Sequence, residues 1–169
     1  MKRGLYIGRF QPFHSGHLRV IKNALKDVDE LIIVVGSSDK SFSNDNPMTA
    51  GERVEIIKET LKDEKVKNNY YIIPIPDIDI NATWVSHVEM NVPKFQVVYS
   101  GTDLTKTLFE QKGYRTIPLE RWKEISATEV RKRIIEDSGW EELVPATTAR
   151  LLKQMNITNR IQEVANHQN

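Results

Sequence analysis

A chain of 169 residues is long enough for one ordinary domain that buries most of its apolar surface without covalent staples. Its formal net charge of +1 gives no bulk attraction to nucleic acid or to an acidic membrane, so any anion must be held by a few placed groups. Cysteine is absent, which excludes disulfides, thiolate metal sites and a Cys nucleophile and agrees with a reducing cytoplasm.

Met1-Lys2-Arg3 leads into an apolar stretch that is interrupted by Gly4, Gly8 and Arg9, which does not read as a signal peptide. Leu5-Tyr6-Ile7 reads as a first strand. Leu18, Ile21, Leu25 and Val28 then mark one face of a helix. Leu31–Val35 is a second strand, apolar on both faces and far short of the about 20 residues that cross a bilayer. Residues 37–46 form the longest polar loop, and a loop of that length in a compact domain is often functional. Thr49-Ala50-Gly51-Glu52 has the spacing of a capping box, opening a helix that runs to about Lys62. Tyr71–Ile73 reads as a third strand, and Asn81 as the cap of a helix through Val88. Phe95–Tyr99 is a fourth strand, Leu104 and Leu108 suggest a further helix, and Tyr114–Ile117 reads as a fifth strand. From about Ser126 only helical patterns follow: Thr128–Ile135, Pro145–Met155 and a short third piece.

This alternation predicts an α/β fold: a doubly wound, Rossmann-like parallel sheet of about five strands with a helical C-terminal segment, all in one domain over 1–169. In open α/β sheets ligands bind beyond the carboxyl ends of the strands, so the loops after the first four strands are the ones to inspect.

The loop after the first strand reads Gly8-Arg9-Phe10-Gln11-Pro12-Phe13-His14-Ser15-Gly16-His17. Gly8 permits a close approach to the backbone. Gly16 leaves room where the helix begins, and a helix N-terminus draws anions. His14 and His17 lie three residues apart and Arg9 adds a fixed positive fork, so the group suits a polyphosphate. Two histidines alone make a poor metal site, and no protein metal ligands are assigned.

The string His14-x-Gly16-His17 after a first strand resembles the HxGH signature of the nucleotidyltransferase superfamily. The fuller Gly8–His17 string resembles the archaeal-type nicotinamide-nucleotide adenylyltransferases, in which Gln11 stands where the pantetheine-phosphate and FMN enzymes usually carry Asp. Ile125-Ser126-Ala127-Thr128-Glu129-Val130-Arg131 resembles the second motif, ISxTxxR; read from its residues alone, Ser126 and Glu129 form a capping box, which does not require Arg131. No G-x-G-x-x-G and no Walker A string is present.

The resemblance implies transfer of AMP from ATP to nicotinamide mononucleotide, giving NAD and pyrophosphate. It implies ATP contacts at Gly8, Arg9, Phe10, His14, Gly16, His17, Gly101, Ser126, Thr128 and Arg131, of which His14, His17, Arg9 and Arg131 carry the catalytic charge stabilisation. Mononucleotide contacts fall on Gln11, Asn81, Trp84 and Arg53. Trp84 reads either as core filler or as a face stacked on the pyridinium; Asn81 as a helix cap or a ligand contact; Arg53 as a phosphate contact or a solvated helix charge. Phe42 and Thr102-Asp103 depart from the family pattern, which often has His and Asn-Pro there. Mg²⁺ is expected on the ATP phosphates. A cytoplasmic homo-oligomer is expected, hexameric by analogy with archaeal relatives, with no nucleic-acid or membrane partner. The alternatives are the same chemistry with another acceptor (nicotinate mononucleotide, FMN or phosphopantetheine) and a non-catalytic nucleotide-binding module.

Overall fold

A computed structural model describes residues 1–67, 69–119 and 125–167. Five parallel strands lie in the order β3-β2-β1-β4-β5: β1 (Arg3–Gly8), β2 (Glu30–Val35), β3 (Tyr70–Pro74), β4 (Val97–Ser100) and β5 (Arg115–Pro118). The connecting helices are α1 (Ser15–Asp27), α2 (Ala50–Asp63), α3 (Trp84–Asn91) and α4 (Asp103–Gln111), followed by α5 (Ala127–Glu136), α6 (Ala146–Gln154) and α7 (Ile157–Asn166).

The sheet is covered on both faces, and the pleat divides its residues between two cores. Leu31, Ile33 and Val35 of β2 join Tyr6, Val97 and Tyr99 on the side of α1, α2 and α5–α7. Ile32 and Val34 join Leu5 and Val98 on the side of α3 and α4. Residues 31–35 are all fully buried, which is why that strand shows no polar alternation. The four positions predicted for the buried face of α1 turn inward, Leu18, Ile21 and Val28 being buried and Leu25 partly so.

Two local details differ from the sequence reading. Residues Asn81–Thr83 form a single 3-10 turn without a side-chain cap, and the α-helix starts only at Trp84. The final helix is 10 residues long rather than a short piece, set off from α6 by Asn156 in the left-handed conformation (φ 58°). Among the described residues no helix is long and apolar enough to cross a membrane.

The strand order reverses at β1. From β1 the chain steps outward to β2 and β3, then returns to place β4 on the other side. The loops leaving β1 and β4 therefore diverge, opening the crevice that such sheets use for ligands.

Candidate active site

A cleft of about 540 Å³ occupies that crevice. It is lined by Gly8, Arg9, Phe10, Gln11, His14, Gly16 and His17 after β1, by Gly101 and Thr102 after β4, and by Ser126, Thr128 and Arg131 at the start of α5. Two motifs more than a hundred residues apart thus meet on one concave surface.

The two histidines hold each other. His14 is the N-cap of α1, and its Nδ1 accepts from the backbone N–H of His17 at 3.4 Å. Reciprocally, His17 Nδ1 accepts from the backbone N–H of His14 at 3.1 Å. The rings stack with centroids 3.5 Å apart. Gly16 makes this possible, because a Cβ there would lie 3.0 Å from the His14 ring. Phe10 and Phe13 pack on His17 and fix it from the other side.

That geometry sets the chemistry. Burial holds His14 down to about 4, and burial followed by the charge of His14 holds His17 well below its ordinary value. Both rings are therefore neutral at pH 7. Since each Nδ1 accepts a hydrogen bond, each proton sits on Nε2, so both rings offer a neutral N–H donor to the cleft. His14 also makes stability depend on pH. The unfolded ring titrates near 6.5 and the folded ring near 4, so the folded state takes up fewer protons in between. Its contribution is complete above pH 6.5 and lost as pH falls toward 4. His14→Asn, which keeps a capping acceptor, is expected to flatten the decline of Tm between pH 7 and pH 4.5. An unchanged slope by scanning calorimetry would refute this.

Fixed positive charge comes from two arginines. Arg9 is exposed at the rim. Arg131 is 7% exposed; its Nη1 donates to the carbonyl of Gln11 at 2.8 Å, and its Nη2 lies 3.5 Å from Asp45 Oδ1. Burial lowers the Arg131 pKa, Asp45 raises it and Arg9 lowers it. Ser126 caps α5 by accepting from the N–H of Glu129 at 3.1 Å. The reciprocal half of the expected capping box is missing, because the Glu129 carboxylate pairs with Arg133 at 2.9 Å. Thr128 is exposed on the cleft wall.

Three residues expected at ligands also have partners within the protein. Arg53 is 1% exposed and donates to the carbonyls of Thr49, Arg9, Gly36 and Ser37 at 2.7–3.2 Å. It does not solvate its helix; it ties the ends of β1 and β2 together. Gln11 is also buried. Its amide donates to the Met48 carbonyl and accepts from the Met48 N–H, both at 3.0 Å, so its side chain pins one loop to another. Phe10 is a core residue at φ 53° whose ring folds back over Gly8; a Cβ on Gly8 would come within 2.9 Å of it. The room at Gly8 is thus taken first by the protein's own ring.

Trp84 and Asn81 line a neighbouring pocket of about 330 Å³ with Lys40, Asp77, Asp79 and Leu104. Trp84 is half-buried, its ring 5.7 Å from that of His87. Lys40 pairs with Asp77 at 2.6 Å; burial would push the Asp77 carboxyl up, but Lys40 and Ser37 bring it below its ordinary value. Thr102, a departure from the family pattern, has a local role: it caps α4 by accepting from the N–H of Thr105. Asp45 was not expected at the site. No spacing rule links residue 45 to residue 131.

The sequence profile of the cytidylyltransferase-like family matches residues 5–133. The nicotinamide-nucleotide adenylyltransferase of Methanococcus aeolicus is 49% identical over 164 residues, covering 96% of this chain and 94% of its own. The chain belongs to the nicotinamide-nucleotide adenylyltransferase family. Members from Pyrococcus furiosus and Ignicoccus hospitalis are 44% and 46% identical, covering 98% and 96% of this chain and 90% and 98% of their own. The crystal structure of a bifunctional NMN adenylyltransferase/ADP ribose pyrophosphatase from Francisella tularensis superposes with a TM-score of 0.81 at 21% identity. The match covers 98% of this family member but 54% of that chain, and at such identity it shows the shared fold.

Proposed function

We propose that this chain transfers the adenylyl group of ATP to nicotinamide mononucleotide, releasing pyrophosphate and forming NAD in the cytoplasm. One observation carries this reading beyond family membership. The reciprocally capped His14–His17 pair, Arg9 and Arg131 converge on a cleft fed by the N-termini of α1 and α5.

The mononucleotide 5′-phosphate attacks the α-phosphorus of ATP. The bond to the bridging oxygen breaks, and its electron pair leaves with pyrophosphate. The attacking oxygen is already anionic, so no general base is required. Catalysis then rests on alignment and on stabilising charge at the five-coordinate phosphorus and the leaving group. Arg9 and Arg131 supply permanent charge. His14 and His17 supply Nε2–H donors whose positions are fixed in advance by their Nδ1 bonds. First-turn amides of α1 and α5 add further donors. Mg²⁺ enters as part of the substrate, held through phosphate oxygens and water, which it prefers to an all-protein cage.

The pocket around Trp84 takes the mononucleotide, with the indole face against the cationic pyridinium. Such stacking contributes about 0.5–2 kcal/mol, so Trp84→Ala is expected to raise KM for the mononucleotide about two- to thirtyfold. KM for ATP should change far less. An unchanged mononucleotide KM would return Trp84 to the core.

The reading is tested by pyrophosphate release from ATP and Mg²⁺ with nicotinamide mononucleotide, nicotinate mononucleotide, FMN and phosphopantetheine as acceptors, the product identified chromatographically. NAD formed from nicotinamide mononucleotide is the expected result. Turnover with another acceptor alone would overturn the substrate assignment. Silence from folded protein that binds ATP would leave a nucleotide-binding module.

A further inference from the structure

The long loop between β2 and α2 makes the one acidic contact described on the site's arginines, and it does so on Arg131, which lines the cleft. Arg131 Nη1 is committed to the Gln11 carbonyl, a buried bond that holds the loop after β1. Nη2 is left to face an anion, and the group 3.5 Å from it is the carboxylate of Asp45. Asp45 itself is 76% exposed in its side chain, so one side of this pair is fixed and the other is free to leave.

The loop is anchored on both sides of Asp45. The Asn46 N–H donates to Ser43 Oγ at 3.3 Å, and the Ser43 N–H donates to the Asn46 carbonyl at 3.2 Å, closing a turn around residue 45. Farther back, Phe42 lies under the Arg160 guanidinium of α7, 4.3 Å from ring centre to charge. Arg160 also donates to Glu52 at 2.7 Å and to the Pro47 carbonyl at 3.3 Å. The turn nonetheless carries local penalties. Phe42 holds a left-handed φ of 53°, and the buried Asn46 Oδ1 has no hydrogen-bond partner among the described residues.

We propose that Asp45 is a built-in counter-anion for Arg131, which the triphosphate of ATP displaces on binding, so that Asp45 sets the affinity for ATP. The inference rests on the function proposed above. An exposed carboxylate so close to a guanidinium stabilises it modestly, and the same carboxylate repels an incoming polyphosphate. Both effects weaken ATP binding and both vanish in Asp45→Asn. The variant is expected to bind ATP with Mg²⁺ about three- to fivefold more tightly by titration calorimetry without acceptor. The advantage should shrink as salt is raised. Asp45→Glu, which keeps the charge, should restore wild-type affinity. In turnover the gain should appear in KM for ATP and not in KM for the acceptor. Equal or weaker ATP binding by Asp45→Asn, with wild type binding normally, would overturn this inference and leave the proposed function standing; weaker binding would assign the carboxylate to Mg²⁺ on the nucleotide. Wild-type protein that binds no ATP would sink both.

Discussion

Replacing His17 by alanine is expected to lower kcat for dinucleotide formation about 10²–10³-fold, the loss seen when one preorganised donor to a developing anion is removed. The size follows from what the ring contributes. It is neutral, it is held by Phe10, Phe13 and His14, and its Nε2–H needs no reorganisation as charge builds on phosphate oxygens. The same residue also completes the capping box of α1, its Nδ1 accepting from the His14 N–H, so its loss weakens the helix start as well. The two roles separate experimentally. His17→Asn keeps a side-chain acceptor for the His14 N–H but cannot place a donor where Nε2 stands. Both variants should fold, with His17→Asn the more stable, and both should turn over slowly. Near-normal kcat in His17→Asn would mean that His17 acts by shaping the helix start. Near-normal kcat in His17→Ala would remove it from catalysis altogether.

The fold was largely legible in the sequence because its signals are local. Residues 31–35 form a continuous apolar run, and only a strand buried on both faces needs one. Thr49 and Glu52 sit at capping-box spacing, and both reciprocal bonds form, at 3.2 and 2.9 Å. The two charged motifs were visible for the same reason: each is a compact string at the start of one helix. What the sequence hid is how buried side chains divide between ligand and protein. Gln11 lies inside the most informative string, yet its amide answers the backbone of Met48, 37 residues away. Glu129 has the spacing to close a capping box and takes Arg133 instead, one turn along its own helix. Arg160 reaches Glu52 across 108 residues, a contact that no periodicity announces. In each case the local pattern was satisfied in part and a tertiary partner decided the rest.

Arg53 shows most sharply how such a partner changes a prediction. A cation in the first turn of a helix opposes the helix dipole, and burial, followed by the charge of Arg9, lowers the Arg53 pKa to about 10. A residue so placed is retained only if its surroundings compensate, and four backbone carbonyls do so. At neutral pH the guanidinium stays charged and completes hydrogen bonding for the chain just beyond β1 and β2. Arg53→Ala would open a cavity and take from the Arg9 and Gly36 carbonyls their side-chain donor, while the Thr49 and Ser37 carbonyls keep backbone donors from residues 53 and 40. The expected cost is about 3–5 kcal/mol, since each buried unsatisfied group contributes on the order of 1–3 kcal/mol and packing is lost as well. For a chain of this size that corresponds to a fall in Tm of roughly 6–20 °C. Scanning calorimetry of wild type, Arg53→Ala and Arg53→Lys decides the matter, with lysine expected to recover part of the loss through one or two carbonyls. Because the clamp holds the backbone of Arg9, activity measured below Tm should fall through both substrates alike. An Arg53→Ala protein with wild-type Tm and a raised KM for the mononucleotide alone would instead place the guanidinium against substrate, and the carbonyl clamp would be wrong.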